Sequence, residues 1–234
     1  MKIKQGMILA AGLGKRMQPI TLKTPKPLIQ IGNKKLLDRA IDLLINNGVQ
    51  EIAINVYHLA DQIKYFINTI QNKAKITIFD EKDELLDTGG GILNATRSFK
   101  KEPYVVINPD TLWSEAYSNE FKDLEKLYFK SKKPCLLLVN KSLSFDGSFK
   151  GDFNLRNDLI SRDNSNEFIF TGLQILDQSI FSSVKEKVFS INKIWDHLIN
   201  DNYLNGVESK LKFYHLNTKE MYDKISKLSI TRQK

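Results

Sequence analysis

Short apolar runs alternate with amphipathic stretches along most of the chain. Met7, Ile8, Leu9 and Ala10 form a run too short for a globular helix and suited to a strand covered on both faces. Leu37, Ala40, Ile41, Leu44 and Ile45 then recur at helical spacing, and Asn47-Gly48 supplies a stop. Residues 52–56 read as a strand, Ile63, Phe66, Ile67 and Ile70 as one face of a helix, and residues 76–79 as a third strand. Thr88-Gly-Gly-Gly91 comes before a short helix reaching to about Arg97, and residues 104–107 make a strand ending at Asn108-Pro-Asp110. Such an alternating series predicts an α/β fold, Rossmann-like, with a mainly parallel, twisted sheet and helices on both faces.

The second half continues more loosely. Phe121, Leu124 and Tyr128 predict a helix, Cys135–Val139 a strand, and residues 168–176 another strand. Between them, residues 141–166 are polar and contain Gly147, Gly151 and several Asn and Asp, which suits a hairpin or lid rather than core. Ile191, Ile194, Trp195, Leu198 and Ile199 predict an amphipathic helix, and Met221, Ile225 and Leu228 a last one. Neither a repeat nor a low-complexity linker interrupts the 234 residues, so one domain is expected, with residues 1–113 and 114–234 as its two parts.

Composition narrows the partners. The formal net charge of +8 comes mainly from lysine, and no basic run is interleaved with aromatics, so nucleic acid is not expected as a partner. No segment approaches membrane-spanning length and no signal-peptide core is present. The single Cys135 sits in an apolar run as a small hydrophobe, and a reducing, cytoplasmic location is expected. Part of the positive charge would steer anionic substrates.

The chemistry concentrates in Met7-Ile-Leu-Ala-Ala-Gly-Leu-Gly-Lys-Arg-Met-Gln-Pro19 and Pro25-Lys-Pro-Leu28. Gly12 and Gly14 leave no side chain between backbone N–H groups and an approaching polyphosphate. Arg16 adds a planar, two-pronged cation and Lys26 a compact one, stiffened on both sides by proline. A dinucleotide fingerprint would need glycine at Met17, and a P-loop would need glycine at Leu9 and Ser or Thr at Arg16, so both are excluded. What remains is a phosphate site of another kind. In open α/β sheets, the carboxyl ends of the strands, where this loop, the glycines and Asp110 all fall, carry the ligand.

At these residues the chain resembles the sugar-1-phosphate nucleotidyltransferases, whose pattern is a strand, Ala-Gly-x-Gly-x-Arg-Met-x-Pro, then Pro-Lys-Pro-Leu. The resemblance continues at Asp87-Thr-Gly-Gly-Gly-Ile92 and Asn108-Pro-Asp110, and it implies a glycosyltransferase-A-like fold with a small sugar-binding lid. The triple glycine is most similar to the branch containing the N-acetylmuramate-1-phosphate uridylyltransferases, which implies cell-wall recycling. Mannose- and heptose-1-phosphate guanylyltransferases are the alternative, and a catalytically weak nucleotide-sugar-binding regulator is the alternative of another class.

The implied reaction is attack of a sugar 1-phosphate on the α-phosphorus of a nucleoside triphosphate. Its nucleophile is already anionic, so positioning and charge neutralisation suffice without a Ser, Cys or His base. By resemblance, Arg16 holds the β- and γ-phosphates and Lys26 neutralises the α-phosphate. Ala10, Ala11, Gly12, Gly14 and Asn108 line the nucleotide site, and Thr88, Gly89 and Gly90 let the base approach the backbone. Asp110 is the candidate ligand for Mg²⁺. Related enzymes place a second metal-binding Asp where this chain has His215, and imidazole suits Mn²⁺ better than Mg²⁺. Three alternatives stay open there: His215 binds metal, Asn217 or water substitutes, or the site is weakened. Gly151, Asp152, Thr171 and Gly172 are the candidates for the sugar, with Arg162 for its phosphate. The oligomeric state is not readable from the sequence.

Overall fold

The computed structural model describes residues 2–70, 74–99 and 102–228. From the N-terminus, β1 (Gln5–Ala10) leads to a ribbon of β2 (Gln30–Ile31) and β3 (Lys34–Lys35), then α1 (Leu36–Asn46), β4 (Glu51–Val56), α2 (Ala60–Thr69) and β5 (Lys75–Asp80). There follow α3 (Asp87–Thr96), β6 (Tyr104–Ile107), α4 (Ser118–Ser131), β7 (Cys135–Asn140), β8 (Asn154–Arg156) and β9 (Leu159–Ser161). The order closes with β10 (Phe168–Leu176), α5 (Ile191–Asn200), β11 (Asn205–Ser209) and α6 (Lys219–Ser226).

The main sheet runs β5-β4-β1-β6-β10-β7-β11-β9-β8. Strands β5, β4, β1 and β6 are parallel neighbours, as are β7 and β11, while β10 lies antiparallel between β6 and β7. The mostly parallel expectation therefore holds. Alternate residues of each strand feed opposite layers, as the pleat requires. Ile8, Ile54, Val105 and Leu137 pack with α1, α2 and α4, whereas Met7, Ala53, Val106 and Leu136 pack with α3 and α5. Among the described residues no helix is long and apolar enough to cross a membrane. Cys135 is buried at the first layer, and burial pushes its thiol up to about 12.

The connections open the site. The chain leaves β1 for β4 and β5 on one side and returns to β6 on the other, so the loops after β1 and β6 diverge and leave a crevice between them. A third, smaller core braces the first of these loops. Met17, Ile29, Ile31 and Leu36 pack there against Leu216 and, from α6, Met221 and Ile225. The C-terminal helix is thereby fastened under the N-terminal loop, with Thr218 accepting from the Met221 N–H at its start.

Three features differ from the sequence reading. Residues 154–161 do form a hairpin, but Phe153 and Ile160 are core residues, and β9 pairs with β11 and so joins the hairpin to the main sheet. Strand β11, Asn-Gly-Val-Glu-Ser, carries no apolar run, because Ile160 and Leu155 cover its Gly206 in place of a side chain of its own. Helix α3 begins before the triple glycine rather than after it. Those glycines form a contact face: Gly89 and Gly90 both donate to the Phe189 carbonyl, at 2.9 and 3.1 Å. A Cβ at Gly89 would enter the Phe189 ring, one at Gly90 would strike the Lys187 carbonyl, and one at Gly91 would press on Asn55 and Glu81.

Gly89→Ala and Gly90→Ala are accordingly expected to destabilise the fold by about 1–3 kcal/mol through overpacking. Gly147→Ala, where a Cβ meets nothing within 4 Å, should stay within about 0.5 kcal/mol of the parent. Urea unfolding of the three variants separates the cases, and equal midpoints would refute the packing role.

Candidate functional site

A cavity of about 510 Å³ fills the crevice, lined by Leu9–Gly12, Gly14–Met17, Lys26, Pro27, Asn55, Glu81, Leu85, Asp87, Thr88, Asn108–Asp110 and Asn217. Two of its glycines have different reasons to be there. Gly14 takes φ +63, and a Cβ on it would meet Thr21 at 2.8 Å, so the turn itself requires glycine. Gly12 has nothing within 4 Å of a Cβ position, so its smallness keeps cavity space open. The turn is closed by Met17 N–H and Thr21 Oγ1, both donating to the Gly14 carbonyl, at 2.8 and 2.9 Å. Arg16 stands exposed at the cavity wall with no ion-pair or hydrogen-bond partner among the described residues.

Lys26 and Asp110 bridge the crevice. The Lys26 Nζ donates to Asp110 Oδ2 at 2.5 Å, across 84 residues of sequence. Burial acts to raise the Asp110 pKa, and the neighbouring His215 ring and Lys26 ammonium outweigh it, bringing the carboxyl to about 2. Burial also pushes the His215 imidazole below its ordinary value, so at neutral pH the ring is uncharged and Lys26 is the cation that holds Asp110 ionised. The Asp110 backbone is fixed by the Leu216 N–H, which donates to its carbonyl at 2.7 Å. Next to it, Asn108 donates its N–H to the Gly172 carbonyl at 2.8 Å, and its own carbonyl takes the Trp113 indole N–H at 2.7 Å. Asp110 Oδ1 and Asn108 Oδ1 are left buried without a partner among the described residues.

The opposite end of the cavity holds two residues that the sequence reading missed. Asn55 accepts the Ala10 N–H at 2.9 Å and donates to Glu81 Oε1 at 2.7 Å, while Glu81 Oε2 accepts the Leu86 N–H at 3.0 Å. Both are buried, at 2% and 5% exposure. Asn55 had a signal, a polar residue near the carboxyl end of an apolar run. Glu81 had none, since it sits in a charged stretch. Thr88 lines this end and accepts the Ile191 N–H at 2.9 Å. Gly89 and Gly90 do not line the cavity, because their amides and open faces are taken up by residues 187–189.

The sugar candidates gather at a bulge of β10 beside Asn108, off the wall of this cavity. A Cβ on Gly172 would meet Asn108 at 2.9 Å, and Asp152 Oδ2 accepts the Phe170 N–H at 2.9 Å. Gly151 has φ +91 and lies against the Asn166 carbonyl. Thr171 is turned into the sheet, where its hydroxyl donates to the Leu137 carbonyl at 2.8 Å and is spent on the fold. Arg162 is engaged elsewhere: it pairs with Asp196 at 2.6 Å and lies over the Phe153 ring, away from the cavity. His215 reaches Asp110 from one side only, with Nε2 3.6 Å from Oδ2, the oxygen already held by Lys26.

The nucleotidyl transferase family model matches residues 5–139, a span that contains the whole glycine loop, Lys26, Glu81, α3 and Asp110. An N-acetylmuramate alpha-1-phosphate uridylyltransferase of Caulobacter vibrioides is 29% identical over 221 residues, 91% of each chain. A mannose-1-phosphate guanyltransferase of Gibberella zeae is 34% identical over 111 residues, which is 46% of this chain and only 30% of that one. A UDP-glucose pyrophosphorylase solved with UDP-glucose superposes with a TM-score of 0.81 at 20% identity, over 99% of this chain and all of the other, and shares its fold.

The Lys26–Asp110 pair sets a pH dependence. The Asp110 carboxyl titrates at about 2 when folded against 3.8 ordinarily, so its stabilising contribution is present above about pH 4 and is lost as pH falls toward 2. Lys26→Met removes the cation and is expected to cost up to about 2 kcal/mol at pH 7, since one unit of pKa is worth about 1.4 kcal/mol and His215 accounts for part of the shift. Urea unfolding from pH 7 to pH 3 should show the gap to the parent narrowing below about pH 5. A gap independent of pH would mean that Lys26 stabilises by packing alone.

Proposed function

This chain is a member of the nucleotidyl transferase family, and from that premise we propose that it joins a nucleoside triphosphate and a sugar 1-phosphate to give a nucleotide sugar and pyrophosphate. The observation that carries the reading is the Lys26–Asp110 pair set across the cavity with Arg16, unpaired among the described residues, on the same wall. UTP with N-acetylmuramate 1-phosphate is the first substrate pair, because the uridylyltransferase relative matches over nearly the whole of both chains. The setting that goes with it is cell-wall recycling in the cytoplasm.

The residues divide the work. Arg16 binds the β- and γ-phosphates through its fork, which leaves the α-phosphorus near Lys26. Lys26 neutralises the charge that grows on the α-phosphate as the sugar phosphate oxygen bonds to phosphorus and the pyrophosphate oxygen departs. Gly12 leaves room for the phosphates, and Gly14 keeps the loop in the turn that brings Arg16 over them. No side chain has to take a proton, since the nucleophile enters as an anion. The buried, unpartnered Asp110 Oδ1 fits a hard divalent cation, Mg²⁺ or Mn²⁺, and Asp110 would hold it. Such a cation supplies charge neutralisation at the phosphates.

Glu81 favours a second reading of the base. A carboxylate only accepts, and guanine offers two adjacent donors on its edge where uracil offers one N–H between two carbonyls. That arrangement supports GTP with mannose or heptose 1-phosphate as the alternative pair. The intact trio of Arg16, Lys26 and Asp110 supports turnover over a purely regulatory role.

Pyrophosphate release across UTP, GTP, CTP, dTTP and ATP against several sugar 1-phosphates, with Mg²⁺ and Mn²⁺ run separately, is expected to give one dominant pair. A blank grid would remove the proposed activity. Lys26→Ala and Asp110→Ala should lower turnover by about 100-fold or more while triphosphate affinity moves far less. Glu81→Gln should cut a GTP preference by about tenfold and leave a UTP preference largely in place, which assigns the base.

A further inference from the structure

The Asp110 end of the cavity contains a third orphaned oxygen. Asn217 is 7% exposed and lines the cavity, and its Oδ1, like Asp110 Oδ1 and Asn108 Oδ1, is buried without a partner among the described residues. The orientation of that amide is fixed. Its Nδ2 donates to Asp146 Oδ2 at 2.8 Å, and the other Asp146 oxygen takes the Ser148 N–H and hydroxyl at 3.0 and 2.6 Å. A carboxylate has only acceptors to offer, so Asn217 must present its nitrogen to Asp146 and its oxygen elsewhere. A buried carbonyl left bare carries a desolvation cost that a cation would relieve.

The backbone places this oxygen on the Asp110 side. Thr111 and His215 form an antiparallel bridge, and Leu216 donates to the Asp110 carbonyl. Leu216 points into the small core below, so by alternation His215 and Asn217 face the same way. Of these two, His215 is badly placed for a metal. Its ring is stacked on Phe213 with centroids 5.7 Å apart and meets the edge of Phe149 at 5.8 Å. Its Nε2 approaches the carboxylate oxygen that Lys26 occupies rather than the free one. Imidazole is also a poor partner for Mg²⁺. Among the described residues no group of three or more His, Cys, Asp or Glu is arranged to hold a metal, which leaves room for a site built from one carboxylate, an amide oxygen and substrate phosphates.

We infer that Asn217 Oδ1 is a protein ligand of the divalent cation alongside Asp110 Oδ1, that Asp146 is the positioning residue that keeps this oxygen aimed at it, and that His215 is not a ligand. The cation's purpose rests on the nucleotidyl-transfer reading; its binding does not. Asp146→Asn provides a nearly isosteric check. Its side-chain oxygen must still accept from Ser148, so it offers NH₂ to Asn217 and forces that amide to turn its own NH₂ toward the metal.

The test titrates MnCl₂ into the full chain and follows the free Mn²⁺ signal by electron paramagnetic resonance, alone and with the imidotriphosphate analogue of UTP. Asn217→Leu and Asp146→Asn are each expected to weaken Mn²⁺ binding by about tenfold or more, and His215→Gln to leave it within about twofold. Circular dichroism checks that each variant is folded, and if Asn217→Leu is not, Asp146→Asn decides. Crystals soaked in MnCl₂ should place the anomalous peak within about 2.2 Å of Asn217 Oδ1. Loss of binding in His215→Gln with Asn217→Leu unaffected, or no Mn²⁺ bound by the parent in either arm, would overturn the assignment. Mn²⁺ held through Asn217 by a protein that turns over no triphosphate would uphold it and remove the activity instead.

Discussion

The ion pair between Lys26 and Asp110 is the contact on which the site depends. It joins the loop after β1 to the loop after β6, and those strands are neighbours whose carboxyl ends leave the sheet on the same edge. Both partners are held from behind. Lys26 lies between Pro25 and Pro27 in a loop that packs on α6, and Asp110 is fixed through Leu216 of the same C-terminal segment. One terminal stretch thus supports both halves of the pair. In the proposed reaction a substrate phosphate would draw Lys26 away from Asp110, and the carboxylate so released would need a new counterion. An incoming cation and an incoming phosphate are therefore complementary at this pair, because each takes over one side of a bond that already exists.

The fold was legible where burial is two-sided. The runs at Met7–Ala10, residues 52–56 and residues 104–107 could only be covered strands, and the 3.6-residue spacing in α1 and α5 required a helix. Legibility failed where another element supplies the contact. Strand β11 presents Gly206 to Leu155 and Ile160, so its hydrophobic content belongs to its neighbours and no local pattern marks it. The hairpin at 154–161 looked peripheral because its two core residues, Phe153 and Ile160, are separated by a polar turn. The triple glycine shows the same limit. Its motif was visible, but the Phe189 carbonyl and ring that fill its open face lie about a hundred positions along the chain, beyond any window.

The site divides in a similar way. Arg16, Lys26 and Asp110 could be proposed from the sequence because they stand in motifs that resemble a known family, and the fold brings all three to one cavity. Asn55, Glu81 and Asp146 could not, because each draws its meaning from a partner remote in sequence, and Asn217 stood only as one of several alternatives until its contact with Asp146 was seen. A buried polar side chain is identified as functional by what it lacks, and a missing partner can be seen only in three dimensions.

The cavity also has a direction. At one end stand Lys15, Arg16 and Lys26; at the other, Glu81 is buried with amide donors from Asn55 and Leu86 and no ion-pair partner among the described residues. An anionic chain would be repelled from the Glu81 end and attracted to the loop, so in the proposed reaction the nucleoside triphosphate would enter with its base toward Glu81 and Thr88 and its phosphates toward Arg16. In that orientation the α-phosphate would come to the Lys26–Asp110 pair. The net charge of +8 does not create this polarity. It follows from topology, because the switch between β1 and β6 collects the cationic loop while the end of β4, next to β1, brings in Asn55 and the end of β5, one strand further, brings in Glu81.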